Sequence, residues 1–361
     1  MRTFSSHLCL ALCVTLGCST DPTPAPVDAA RDALDAAALP DVPDDLKPVD
    51  AAPPRMRVVP TEWPRTPPPL PTYSRGVCPT LNAGSTLASS LNASFPSGAH
   101  SRRFRLVVPP SYDPAGTDRW PLVFAWHWLA GDSRQMIEEG EIFASAERNR
   151  MIVAVPDQLQ VDGGSVNAFT WPILDTTMAE PEIVFFEDML ACVTGAYRID
   201  STRVHGLGVS AGALWLTYLT TTPRARYFAS VGILSGGLGE VLDAWRLTYA
   251  PQPNKFPALV LWGGPTDRLV VDFHVASQRL RDALVDDGHF VLTCTHDRGH
   301  ALPPFMPPPG DSRFTFLWGF FAQHPYGLAP ATSPYLTDGL PGSAPSWCSI
   351  PAELTAGARD R

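Results

Sequence analysis

No stretch of the chain is apolar for long enough to cross a bilayer as a helix. The run near the start, Leu8 to Gly17, is about ten residues long where a span needs about twenty. Clustered Lys and Arg are missing too: 36 acidic residues outnumber 27 basic ones, for a net charge of −9. Phosphate contacts need such a cluster, so nucleic acid is excluded as the main partner. His and Cys nowhere fall at metal-ligand spacing, so neither a metal nor another cofactor is implied. No internal repeat is visible. What remains is a chain of 361 residues, 45% hydrophobic and 17% charged. That suffices for one well-buried domain of roughly 250 residues with extensions at its ends.

The first extension reads as an export signal. Met1-Arg2 supplies a short positive start and Leu8 to Gly17 the apolar core. The core ends in Val14-Thr15-Leu16-Gly17-Cys18, which resembles the bacterial lipoprotein cleavage box. By that resemblance Cys18 becomes the lipidated first residue, although Thr15 stands where Leu is usual. A plain secretory signal is the alternative. The expected location is therefore the cell envelope, with any membrane contact made through the N-terminal lipid, or else the medium. Residues 1–18 are assigned to the signal and 19–76 to a tether. From Asp21 to Pro54 the tether is mostly Ala, Pro and Asp, a composition too poor in apolar surface to offset its ordering entropy. Of seven Cys, three belong to the signal. Cys78, Cys192, Cys294 and Cys348 remain, an even number that in an exported chain suggests two disulfides. Three connectivities are possible. Cys294–Cys348 is favoured because it would tie the tail to the last strand, with Cys78–Cys192 by elimination.

Residues 77–325 are expected to form the catalytic domain and 326–361 an irregular Pro- and Gly-rich tail. In the domain, short apolar runs alternate with helical patterns. Strands are expected at Arg103–Val108, Pro121–Trp126, Met151–Val155, Val204–Val209, Phe228–Leu234, Ala258–Trp262 and Phe290–Thr295. Helices are expected at Ser133–Arg150, Pro181–Tyr197, Ala211 to about Thr221, Asp272–Val285 and Phe314–Gln323. Such alternation with short links implies an α/β fold, a mostly parallel sheet covered on both faces.

Within that frame, Gly208-Val209-Ser210-Ala211-Gly212 fits G-x-S-x-G where a buried strand turns directly into a helix. That setting is what a nucleophile elbow requires. A nucleophilic serine needs a base and an acid, arriving in the order Ser, acid, His. His300, after Gly299, follows the last strand by a short loop. His296 is the competitor, but it sits at the strand end with less loop to carry it. For the acid, Asp267 follows a strand through Gly263-Gly264-Pro265-Thr266. Asp272 is the alternative, better explained as the cap of the next helix. Backbone N–H groups of Ala211 and Trp128 are candidate donors to an oxyanion.

With these pieces placed, the chain resembles the secreted polyhydroxybutyrate depolymerase and feruloyl esterase group of α/β-hydrolases. The likeness runs from about Arg103 to His324. It includes Tyr197-Arg198-Ile199-Asp200-Ser201-Thr202-Arg203-Val204 ahead of the elbow, Trp262-Gly263-Gly264-Pro265-Thr266-Asp267, and Gly299-His300. It implies the α/β-hydrolase fold and the triad Ser210, Asp267 and His300. One departure bears on the pocket: the family usually has His-Gly after its third strand, where this chain has His127-Trp128. Candidate pocket residues are His127, Trp126 and Trp171, the tryptophans being equally well explained as core. The segment between Leu234 and Ala258 is too short for a large lid. The expected function is a serine carboxylesterase acting on extracellular small or polymeric esters of feruloyl, acetyl or polyhydroxyalkanoate type. A serine peptidase of the same fold and a non-catalytic surface binding protein are the alternatives.

Overall fold

Strands that are apolar on both faces belong in the middle of a sheet covered by helices on each side, and five such strands organise this molecule. A computed structural model describes residues 62–159, 171–172, 179–241 and 245–356. All of these belong to a single unit, Arg55–Arg361. The signal residues, including Cys18, and the tether through residue 61 lie outside the described residues.

The strands are β1 (Leu91–Ser97), β2 (His100–Val107), β3 (Trp120–Trp126), β4 (Ile152–Pro156), β5 (Ile199–Val209), β6 (Ser230–Leu234), β7 (Gly239–Val241), β8 (Trp245–Leu247), β9 (Ala258–Trp262), β10 (Val291–Thr295) and β11 (Cys348–Ser349). Nine of them form one sheet in the order β1-β2-β4-β3-β5-β6-β9-β10-β11, while β7 and β8 make a separate hairpin. Pairing is parallel from β4 through β10 and antiparallel at both margins. The helices are α1 (Ser133–Glu139), α2 (Ile142–Asn149), α3 (Ala179–Ala196), α4 (Ala211–Thr220), α5 (Phe273–Asp286), α6 (Thr315–Gln323), α7 (Pro334–Thr337) and α8 (Ala352–Ala356).

The chain travels one way from β3 to β4 and the other way from β4 onward. Right-handed crossovers running in opposite directions leave their helices on opposite faces. The α1–α2 pair therefore lies across the sheet from α3, α4 and α5. Helix α6 returns to pack on α2, where Ser145 and Ser312 hydroxyls meet at 2.8 Å. Helix α4 is buried almost all round, which its sequence AGALWLTYLT anticipates.

Several boundaries differ from the sequence reading. Packed structure begins ahead of Val77: the Trp63 indole donates to the Gly327 carbonyl, Tyr73 is buried, and Ser74 donates twice to Asp188. Aromatic side chains let this Pro-rich lead pack without joining the sheet. The expected helix from Ser133 to Arg150 is two, because Gly140 closes α1 and Glu141 takes the left-handed conformation. The tail is not irregular throughout, since β11 extends the sheet and α8 follows it. Both disulfides are formed, Cys78–Cys192 from the lead to α3 and Cys294–Cys348 between β10 and β11.

Candidate active site

The central strand β5 runs between β3 and β6, with Gly208 beside Trp126 on one side and Ile233 on the other. Its end is the crevice where parallel α/β sheets hold ligands. There the backbone turns into α4 at Ser210, whose φ of 54° and ψ of −117° lie outside the usual regions. The neighbours explain why glycine stands two residues to either side of it. A Cβ on Gly208 would lie 2.5 Å from the Gly212 carbonyl oxygen, and one on Gly212 would lie 2.3 Å from that of Trp126. The turn is held from below by the Ser210 N–H, which donates to the Leu234 carbonyl at 2.8 Å. Strain of this kind persists only where the surroundings over-determine it.

Ser210 Oγ lies 2.9 Å from His300 Nε2, and His300 Nδ1 lies 2.7 Å from Asp267 Oδ1. A carboxylate only accepts, so Nδ1 carries the proton and Nε2 presents its lone pair to the serine hydroxyl. The His300 ring is stacked on Phe273, the first residue of α5, at 4.5 Å and 13°. Asp267 is fully buried. Burial by itself would raise its pKa, but bonds from His300, the Gly263 N–H at 2.7 Å and the Ser235 hydroxyl at 2.8 Å hold it below the ordinary carboxylate value. The two loops that carry Asp267 and His300 are locked together, with the Gly299 N–H donating to the Gly263 carbonyl at 3.0 Å. A side chain at Gly263 would collide with that of the backbone at Gly299, its Cβ falling 1.8 Å from the carbonyl oxygen.

The competing residues stand elsewhere. Asp272 caps α5 by accepting from the Val275 N–H at 3.0 Å and pairs with Arg268. His296 is buried, accepts from the Arg298 N–H and meets Trp347 edge-on. Ser235, Gly263 and Phe273 are supports that the sequence reading missed. Only the Ser235-Gly236-Gly237 run after a buried strand hinted at the first.

Ala211 opens α4, so its N–H has no acceptor within the helix. Close approach of the Trp126 and His127 carbonyls to Gly212 brings the loop of Trp128 against the same helix start. The His127 ring is buried, its Nδ1 donates to the Trp128 carbonyl at 2.9 Å, and burial lowers its pKa. Trp171 is fully buried, donates to the His127 carbonyl at 2.9 Å and stacks on Trp215. Trp126 lies among Phe124, Phe186 and Phe228. Neither tryptophan offers exposed pocket surface. Trp126 is core, and Trp171 backs the loop from behind.

A second Asp–His pair sits at the opposite ends of β9 and β10. His289 Nδ1 donates to the Phe256 carbonyl at 2.8 Å, while Nε2 faces Tyr249 Oη at 3.0 Å and Asp287 Oδ2 at 3.3 Å. Lys255 pairs with Asp287 at 2.6 Å, and Tyr249 donates to it at 2.6 Å. Burial would raise the Asp287 pKa, yet bonds from His289, Lys255 and Tyr249 hold it well below the ordinary value. Burial and the bond to Asp287 push the Tyr249 phenol up. Among the described residues no group of three or more His, Cys, Asp and Glu side chains is placed to hold a metal ion, and no helix is long and apolar enough to cross a membrane.

No protein-family model matches the chain, and no curated protein does. Solved structures do. A variant of pOPH in complex with DMSO is 17% identical with a TM-score of 0.57, over 72% of this chain and 93% of that one. Native sOPH is 18% identical with a TM-score of 0.54, over 76% of this chain and 95% of that one. Native pOPH is 17% identical with a TM-score of 0.54, over 72% and 94%. At these identities what is shared is the fold.

Proposed function

We propose that this chain, which has the α/β-hydrolase fold, is a serine carboxylesterase that cleaves extracellular carboxylic esters through an acyl-enzyme. The reading is carried by one observation, the unbroken series Ser210 Oγ, His300, Asp267 at 2.9 and 2.7 Å. In this reading His300 Nε2 takes the hydroxyl proton as Oγ attacks the ester carbonyl. The negative charge that develops on the carbonyl oxygen is held by the N–H groups of Ala211 and Trp128. His300 then returns the proton to the departing alcohol oxygen as the C–O bond breaks. Water repeats the sequence on the acyl-enzyme and frees the acid. Asp267 stabilises the transient imidazolium without taking its proton.

The substrates in keeping with the motif resemblance are feruloyl, acetyl or polyhydroxyalkanoate-type esters. Export through residues 1–18, with Cys18 as the lipidated anchor and residues 19–61 as spacer, belongs to the same proposal. It is supported by the signal pattern and by two disulfides, which persist in oxidising surroundings.

The test is hydrolysis of p-nitrophenyl acetate by the full chain and by Ser210→Ala. Loss of about 10⁴-fold or more in kcat is expected. A variant that keeps its rate, or a folded wild type that cleaves no ester, would overturn the reading.

A further inference from the structure

Single exposed apolar side chains are ordinary on a protein surface; their grouping at one place is not. Five large hydrophobic side chains are exposed among the described residues: Leu70, Val77, Leu269, Leu302 and Met306. Three of the five stand on the two loops that carry Asp267 and His300. Leu269 is two residues past Asp267 and Leu302 two past His300, so each Cα lies within about 8 Å of its triad neighbour's. The imidazole and carboxylate are themselves 2.7 Å apart, so the two loops that bear these leucines meet beside the triad.

The His300 loop is held stiffly farther along. Met306 is 91% exposed, yet the residue before it, Phe305, is buried against Trp347 at 5.1 Å. Pro303, Pro304, Pro307, Pro308 and Pro309 restrict the backbone around it. Beyond them Arg148 bonds the Gly310 carbonyl and pairs with Asp311. A surface held in place this way loses little freedom when something settles on it.

The chemistry says which half of a substrate lies there. His300 must pass its proton to the leaving oxygen, so the alcohol half of the ester departs on the His300 side, and the acyl half points away from it. We infer that the site takes esters whose alcohol is an extended apolar chain, laid on a rim formed by Leu302, Met306 and Leu269. This rests on the serine-esterase reading and deepens it.

The experiment compares ethyl and hexyl acetate, with acetate release followed in the full-length protein. Each methylene fully covered is worth about fourfold in affinity, and on a rim it is covered only in part. The expected ratio of kcat/KM, hexyl over ethyl, is about tenfold in the wild type. In a Leu302→Ser/Met306→Ser variant it should fall to within about twofold. Leu70→Ser/Val77→Ser, which changes the other exposed apolar residues, should leave the ratio as it was. A wild-type ratio near one, or a ratio that survives the rim substitutions, overturns the inference. These failures leave Ser210-dependent hydrolysis intact. Failure of the esterase reading is recognised separately, by a folded wild type that cleaves neither acetate.

Discussion

Strands β9 and β10 carry an Asp–His pair at each end, and the two pairs have opposite characters. Asp267 and His300 follow the strands; Asp287 and His289 lie just ahead of β10, with Phe256 just ahead of β9. In both pairs the aspartate is held low by several donors. The difference lies in the second imidazole nitrogen. His300 keeps Nε2 for a strained serine and is partly open to solvent, while His289 is sealed, with both nitrogens committed within the fold. An Asp–His contact by itself thus does not mark a reactive pair. In the proposed esterase reading, what sets His300 apart is a free lone pair aimed at Ser210.

The sharpest way to break this comparison is to neutralise each aspartate in turn. Asp267→Asn should lower kcat by about 10⁴ with little change in the unfolding midpoint. Asp287→Asn should leave kcat within about twofold but leave Lys255 only the Gln252 carbonyl, lowering stability by about 1–3 kcal/mol. Kinetics and urea unfolding on both variants decide it. If Asp287→Asn also abolished turnover, the two ends would not be separable.

Acid bears on two further histidines that the fold seals, His205 and His324. Burial pushes His205 down to about 3 and His324 to about 4, against about 6.5 in an unfolded chain. Between about pH 6.5 and 4 the unfolded chain therefore binds protons that the folded chain refuses at both positions. Stability should be full above pH 6.5 and fall on acidification by up to about 2.7 kcal/mol per pH unit, about 1.4 from each. His324 ceases to contribute below about pH 4 and His205 below about 3. Urea unfolding from pH 7 to 4.5 reads the slope, and His205→Gln should reduce it by about half.

The smallest effect expected is at Asp272. Its Ala variant loses the cap of α5, about 1 kcal/mol, with kcat changed less than threefold. A collapse in rate would mean that the acid had been assigned to the wrong aspartate.

How much of this could be read from residues alone varies with cause. The elbow was legible because its glycines are demanded by backbone contacts that no other residue survives. The convergence of Asp267 and His300 on Ser210 was legible because Gly-rich turns left buried strands at the right places in chain order. Strand β1, LNASFPS, was missed because Asn, Ser and Pro disguise a strand whose partner alone makes it one. The β7–β8 hairpin and two-residue β11 are too short for any periodicity. Ser235 was missed because its role depends on a left-handed turn that points its hydroxyl at Asp267. Trp126 and Trp171 were candidates for the pocket because sequence shows an aromatic near a loop, but not which way its ring turns.

The last two residues to join the sheet guard a liability. Strand β10 is almost wholly buried, and its outer edge is covered by Cys348 and Ser349 and by the Trp347 carbonyl, which accepts from the Thr295 N–H at 2.8 Å, with Cys294–Cys348 keeping that cover attached. A sheet margin without such a cover offers a row of backbone donors and acceptors to any passing copy. Removing the tail from Cys348 onward would therefore bare this edge and favour edge-to-edge association.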